Sequence, residues 1–192
     1  MDDSQIPVFI EGEIIHFVPL NSKNVNLFAK WKNTPEVRIY SRNIFPRTIE
    51  DMKKKFEPSN SKTKRDVFFE VWHKKDKKTI GLGRVGDIDW YGQKAWLGLE
   101  IGEPEYWGQK IGEEVTHLMV EYAFNELNLY KIYAGVSSAN IGSWSCAEKN
   151  GFIREATFKK DMYIDGKYFD RFVYSLLKED WLKNKKEINS KL

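Results

Sequence analysis

Apolar and polar positions change their period several times along this chain, and each change marks an element. Over residues 9–19 they alternate, which predicts a strand, a turn at Glu11-Gly12-Glu13 and a second strand. Residues 21–33 read instead as a helix: Val25, Leu27, Phe28 and Trp31 recur at helical spacing, Asn21 or Ser22 can cap it, and Pro35 is expected to end it. A second helix opens at Thr48-Ile49-Glu50-Asp51, with Thr48 as cap and acids in the first turn, where the helix dipole favours them. The polar stretch 58–64 predicts a loop, 66–73 a strand and 74–78 a turn. Residues 79–87 and 94–101 then pair as a hairpin over Trp90-Tyr91-Gly92-Gln93.

Residues 112–127 carry the strongest helical signal, with Ile111, Val115, Leu118, Met119, Tyr122 and Ala123 on one face. A strand over 130–136 and a helix over 141–149 follow, the helix stopped by Asn150-Gly151. Residues 153–164 and 168–177 form a last hairpin over Asp165-Gly166, a favoured two-residue turn. Beyond Lys178 the chain turns polar and is expected to fray. With no repeat and no linker, one domain is expected over 8–181, with a polar tail over 182–192. The order of strands and helices is that of an α/β (α+β) fold.

Composition narrows the function classes. A chain of 192 residues can bury one substantial core, and 41% hydrophobic with 31% charged residues describes a soluble globular protein. The net charge of +3 is too small to argue for nucleic acid, and no basic stripe with interleaved aromatics is present. The lysine runs read as solvated surface or as steering for a phosphate-bearing ligand. No apolar run reaches membrane-spanning length, so no membrane partner is expected. Met1-Asp2-Asp3-Ser4 lacks the pattern of a signal peptide, and the single Cys146 fits a reducing compartment, so the expected location is cytoplasmic.

Gly81-x-Gly83-x-x-Gly86 matches a dinucleotide fingerprint in letters only. A helix must open at its third glycine, and Asp87-Ile88-Asp89-Trp90 runs into a turn instead. His16, His73 and His117 lack neighbouring ligands, so no metal is expected. Neither Ser145 nor Cys146 sits in a nucleophile arrangement. The segment from Glu103 to Gly112 differs, because it joins a strand to the best helix. Gly108 and Gly112 permit a tight backbone path, and a helix start leaves unpaired N–H groups, which together suit a pyrophosphate.

Residues 9–181 carry further motifs in a fixed order. Gly12-Glu13-Ile14-Ile15 leads to Trp31-Lys32-Asn33-Thr34-Pro35-Glu36-Val37; then come Glu105-Tyr106-Trp107-Gly108-Gln109-Lys110-Ile111-Gly112 and Asn128-Leu129-Tyr130-Lys131-Ile132. Asn140-x-x-Ser143, Glu148-Lys149-Asn150-Gly151-Phe152 and Asp165-Gly166-Lys167-Tyr168-Phe169-Asp170 close the series. In this order the chain resembles the RimJ/RimL-type branch of the GCN5-related N-acetyltransferases (GNAT). Two positions depart from the usual pattern. Lys110 stands where a glycine is common, acceptable if its φ stays below zero, and Ala147 stands where many relatives carry a tyrosine.

The resemblance implies a single GNAT domain, with a mixed central sheet splayed at its middle and helices on both faces. It implies acetyl-CoA as co-substrate, no metal, and a small-molecule or peptide amine as acceptor: a protein N-terminus, polyamine, aminosugar or other small amine. It leaves room for a homodimer, and for a degenerate member that binds CoA or a protein without turnover. The coenzyme would contact Ile101, Gly102, Trp107, Gly108, Gln109, Lys110, Ile111, Gly112, Asn140 and Ser143. Glu100, opposite in face to Leu97, Leu99 and Ile101, is the first choice of general base, with Asp87, Asp89 and Asp161 in reserve; a structural ion pair is its alternative role. Ser143 is the expected proton donor to the leaving thiolate, or else a local backbone cap, and for Asn140 the alternative is turn formation. Phe45 and Asp89-Trp90-Tyr91 are candidates to line the acceptor pocket.

Overall fold

A computed structural model describes residues 6–41, 43–54 and 63–189; the expected loop over 58–64 lies largely outside them. The strands are β1 (Ile10–Glu11), β2 (Ile15–Pro19), β3 (Val67–His73), β4 (Lys78–Asp89), β5 (Lys94–Ile101), β6 (Lys131–Ser137), β7 (Ile153–Ile164) and β8 (Lys167–Leu177). The helices are α1 (Val25–Asn33), α2 (Pro35–Arg38), α3 (Ile49–Lys53), α4 (Ile111–Glu121), α5 (Ile141–Lys149) and α6 (Lys178–Asn189). The strands form one 8-stranded sheet in the order β1-β2-β3-β4-β5-β6-β8-β7.

Every pairing is antiparallel except β5 with β6. That parallel pair is short: Lys94, Ala95 and Trp96 face Lys131, Ile132 and Tyr133, and there it stops. Beyond that point β5 stays with β4 as far as Ile101, and β6 stays with β8 as far as Ser137. The sheet is therefore one layer at its base and open between Leu97 and Ala134, the splay the family resemblance implies.

Side chains alternate across the sheet, so neighbouring residues of one strand serve opposite layers. A Cβ on Gly83 would meet Met119 of α4 at 3.2 Å, whereas Leu82 packs with the α1 cluster. On the α4 face lie Phe17, Phe69, Val71 and Val85 with Ile111, Val115 and Met119. On the other face Val25, Phe28, Trp31, Val37 and Met52 bury one another under α1 to α3. Helices thus cover both faces.

Three local expectations change. Asn21 caps a 3-10 turn over Ser22–Asn24, its side chain accepting from Lys23 N at 3.0 Å, and α1 begins only at Val25. Pro35 begins α2 instead of simply stopping α1, since the first helical turn needs no N–H from it. The expected frayed tail is helix α6. Its Trp181 is 7% exposed with its ring 5.4 Å from that of Phe124, and Lys178 N donates to Tyr130 O at 2.9 Å. One buried indole fixes an otherwise polar helix, which a periodicity argument weighs too lightly. The Asp165-Gly166 turn has φ of 46° and 77°, the two positive values that a type I′ hairpin needs.

Candidate functional site

The mouth of the β5/β6 opening is closed on one side by the segment from Glu103 to Lys110. A 3-10 turn over Pro104–Tyr106 buries Tyr106, whose hydroxyl donates to Asp76 in the β3–β4 turn. That bond is the chief reason the Asp76 carboxyl lies below its usual range, and burial is the chief reason the Tyr106 hydroxyl lies above it. Trp107 Nε1 donates to Ile101 O at 2.9 Å, and Gln109 Nε2 donates to Glu105 O at 2.6 Å. The polar groups of Trp107 and Gln109 are thus occupied in holding the loop's shape, which leaves its backbone N–H groups and Lys110 to face a ligand.

Gly108 has φ +74°, with nothing within 4 Å of an added Cβ, and Lys110 has φ +62° as the N-cap of α4. The condition under which a lysine at 110 would be unstrained, a negative φ, is therefore not met: the chain turns left-handed to enter α4, and lysine does so without glycine's freedom. Backbone turns of this kind gather N–H groups into anion-binding concavities. Glu114 N, bonded to Lys110 O at 3.1 Å, makes the first bond of α4. The N–H groups of Ile111, Gly112 and Glu113 consequently point out of the helix end with its positive dipole. Gly112 is also where α4 packs close to its neighbours, its Cβ position lying 3.4 Å from Cys146 Sγ and 3.6 Å from Leu99 Cδ2.

On the opposite face of β5 stands Glu100, beneath α1. Its Oε2 lies 2.5 Å from Lys32 Nζ, while its Oε1 is buried without a hydrogen-bond partner among the described residues. The two side chains are only 13% and 19% exposed. The ion pair and the candidate base are therefore one arrangement, since one carboxylate oxygen is used and the other is open. Gly102 follows, its N–H donating to Ile80 O at 2.9 Å. Antiparallel strands alternate the direction of their backbone groups, so Ile101 N–H points away from β4, on the open side. Of the expected backbone donors, Gly102 is thus turned to β4 and Ile101 to the opening. An added Cβ on Gly102 would sit 2.0 Å from Trp31 Cδ2, so α1 rests directly on the end of β5. Trp31 Nε1 fastens it further, donating to Glu103 Oε1 at 2.8 Å.

Across the opening, Asn140 caps α5, its Oδ1 accepting from Ser143 N at 3.2 Å. Asn140 is thus a helix cap, where turn formation was its expected alternative. The Ser143 side chain stays exposed at the first turn of α5. Asn150 Nδ2 ties α5 to α4 through Glu113 O at 3.2 Å, and Lys149 Nζ meets Glu113 Oε1 at 2.5 Å. Ala147 is buried and brings no hydroxyl to the site. Tyr174 offers none either, because burial and its bond to Glu148 push its hydroxyl up to about 12. Burial likewise raises the Cys146 thiol. Among the reserve acids, Asp87 pairs with Arg84, Asp89 caps the turn at Gly92, and Asp161 pairs with Arg171. Phe45 is exposed on the segment between α2 and α3, while Trp90 donates to Lys64 O. Among the described residues, no group of three or more His, Cys, Asp or Glu is placed to hold a metal, and no helix is long and apolar enough to cross a membrane.

Lys32 and Trp31 are the site residues that sequence reasoning passed over. Trp31 was legible only as a core position, and Lys32 as a charge inside the Trp31–Val37 motif; their partners lie some seventy residues on.

Comparison with known proteins places this geometry in context. A family model described as an acetyltransferase (GNAT) domain matches residues 15–153. A Bacillus subtilis protein named as a probable N-acetyltransferase, YjcK, is 31% identical over 136 residues, spanning 69% of this chain and 75% of its own. A spermidine N(1)-acetyltransferase of Vibrio cholerae is 30% identical over 94 residues, 49% of this chain and 54% of that one. Among solved structures, the Vibrio cholerae spermidine N-acetyltransferase in complex with CoA and spermine superposes with a TM-score of 0.79 at 22% identity, covering 89% of this chain and 99% of that one. A GNAT-family acetyltransferase of Bacillus anthracis gives 0.72 at 22%, covering 88% and 98%. At such identities the structural likeness speaks for the fold.

Proposed function

The chain belongs to the GNAT acetyltransferases, and from that premise we propose that it moves the acetyl group of acetyl-CoA directly onto a primary amine. The observation that carries this reading is the opening between β5 and β6, with the start of α4 at its mouth and a half-partnered carboxylate beside it. Acetyl-CoA supplies the thioester. The outward N–H groups of Ile111, Gly112 and Glu113 suit its pyrophosphate, and the left-handed turns at Gly108 and Lys110 aim the loop backbone toward it. The resemblance adds Ile101, Gly102, Trp107, Gln109 and Asn140 to the coenzyme side, Trp107 and Gln109 by bracing the loop.

An alkylamine is mostly protonated at neutral pH, with a value of about 10.4 for lysine, so a proton must leave before attack. Glu100 Oε1 accepts that proton from the ammonium, and the free amine then bonds to the thioester carbon. Ile101 N–H donates to the carbonyl oxygen while charge builds on it, and as the carbon–sulfur bond breaks the Ser143 hydroxyl protonates the sulfur and regains a proton, the second that the nitrogen sheds. The acceptor belongs to the amines named above: protein N-terminus, polyamine, aminosugar or other small amine.

Thiol release from acetyl-CoA, followed against a panel of these amines, tests the reading. Turnover above hydrolysis with at least one amine is expected, and Glu100→Gln lowers kcat by about 10²–10⁴. Coenzyme binding without any amine-dependent release would instead mark a degenerate GNAT.

A further inference from the structure

We propose that Lys32 is a specificity-determining residue which, by filling one oxygen of Glu100 with an ammonium from within the chain, selects acceptors with a single positive charge and rejects polyamines. The inference rests on the proposed acetyl transfer and on the assignment of Glu100 to the amine side of the site.

Lys32 Nζ lies 2.5 Å from Glu100 Oε2, and both side chains are largely buried, so the pair is held in a fixed geometry with no net charge. Among the described residues, Glu100 Oε1 is buried and has no hydrogen-bond partner. Such an atom loses its hydration without replacement, so a native structure that keeps one calls for an explanation. One N–H from an entering amine supplies it. The carboxylate then has one place for the acceptor and none for a second ammonium.

The surroundings act in the same direction. Glu103 is taken by Trp31 Nε1 and Lys30, Glu70 by Asn21 N, Asn24 and Thr79, and Asp51 by the cap of α3. The segment from α1 to the start of α3 carries Lys30, Lys32, Arg38, Arg42 and Arg47 against Glu36 alone. Its later part is fixed over the end of α1: Asn43 Nδ2 donates to Lys32 O, Asn33 Nδ2 to Arg47 O at 2.7 Å, and Arg47 N to Asn33 Oδ1 at 2.9 Å. Lys32 is therefore the cation held next to Glu100, and the nearby carboxylates are already taken, so a second ammonium on the acceptor finds no counter-charge there.

Butylamine and spermidine present the same aminobutyl end with and without further ammonium groups. We expect the wild-type chain to show kcat/KM for butylamine about fivefold or more above that for spermidine, the order of one charge contact at the dielectric of water. Lys32→Gln is expected to bring the ratio to about unity, mainly through KM for spermidine, while Lys32→Arg keeps the wild-type ratio. Wild-type preference for spermidine, or a ratio unmoved by Lys32→Gln because both amines lose equally, overturns the inference and leaves the acetyltransferase reading standing. Absence of thiol release with every amine defeats the two together. If Lys32→Gln does not fold, Lys32→Met takes its place, and a wild-type ratio below unity still overturns the inference.

Discussion

Replacing Gly102 by alanine drives a methyl group into Trp31. The new Cβ would lie 2.0, 2.3 and 2.4 Å from Trp31 Cδ2, Cγ and Cε2, well inside contact distance, and Trp31 is fully buried. Neither partner can give way cheaply, because Gly102 is held by its N–H bond to Ile80 O and the indole by Glu103. Overpacking of this kind costs about 1–3 kcal/mol. Displacing the indole from Glu103 costs roughly 1.5–3 kcal/mol more, as for a hydrogen bond to a charged group. The sum is about 2.5–6 kcal/mol, and at about 2–4 °C per kcal/mol for a chain of this size the midpoint falls by roughly 5–24 °C. Urea and thermal unfolding by circular dichroism measure it, with Gly98→Ala on the same strand as control. There the added Cβ meets only Arg84 Cβ at 3.7 Å, ordinary contact, and stability is expected to change by less than about 0.5 kcal/mol. A Gly102→Ala midpoint within about 2 °C of wild type would refute the claim that α1 rests on the end of β5.

Trp181→Ala is expected to destabilise the whole domain by about 3–5 kcal/mol in urea titrations, since the indole is part of the main core; a loss confined to α6 would show the helix to be an appendage. Lys110→Gly relieves a left-handed residue worth about 1–2 kcal/mol and gives back about 0.5–1 kcal/mol in unfolded-chain entropy, so a net gain of roughly 0.5–1 kcal/mol is expected in the unfolding free energy. A loss would show that the lysine side chain holds the loop. Burial raises the carboxyl of Glu70 in the folded state above its unfolded value of 4.5. Its contribution is fully present below that value and is lost as pH rises through the higher folded value. Wild type should therefore lose stability relative to Glu70→Gln across that window, and parallel pH profiles would contradict it.

Local signals carried much of the reading. Alternation placed the hairpins within a residue or two, and Asp165-Gly166 named its own turn type because few residue pairs tolerate two positive φ values. Gly108 and the start of α4 were legible from spacing alone as a tight turn into a helix, the geometry on which the proposed anion site rests. The conformation of Lys110 was not, since nothing in the letter lysine forecasts a left-handed φ; the path from Tyr106, anchored at Asp76, into α4 imposes it.

The sequence by itself determined the element order, the phosphate-suited loop and the family, because each is written in contacts between residues close along the chain or in motifs of fixed order. Tertiary structure alone decided which carboxylate oxygen is free, which backbone N–H faces the opening, and that a lysine at position 32 answers a glutamate at position 100. The physical reason is separation: α1 meets the end of β5 only after β3 and β4 have paired between them, and no local preference encodes which charges that packing brings face to face.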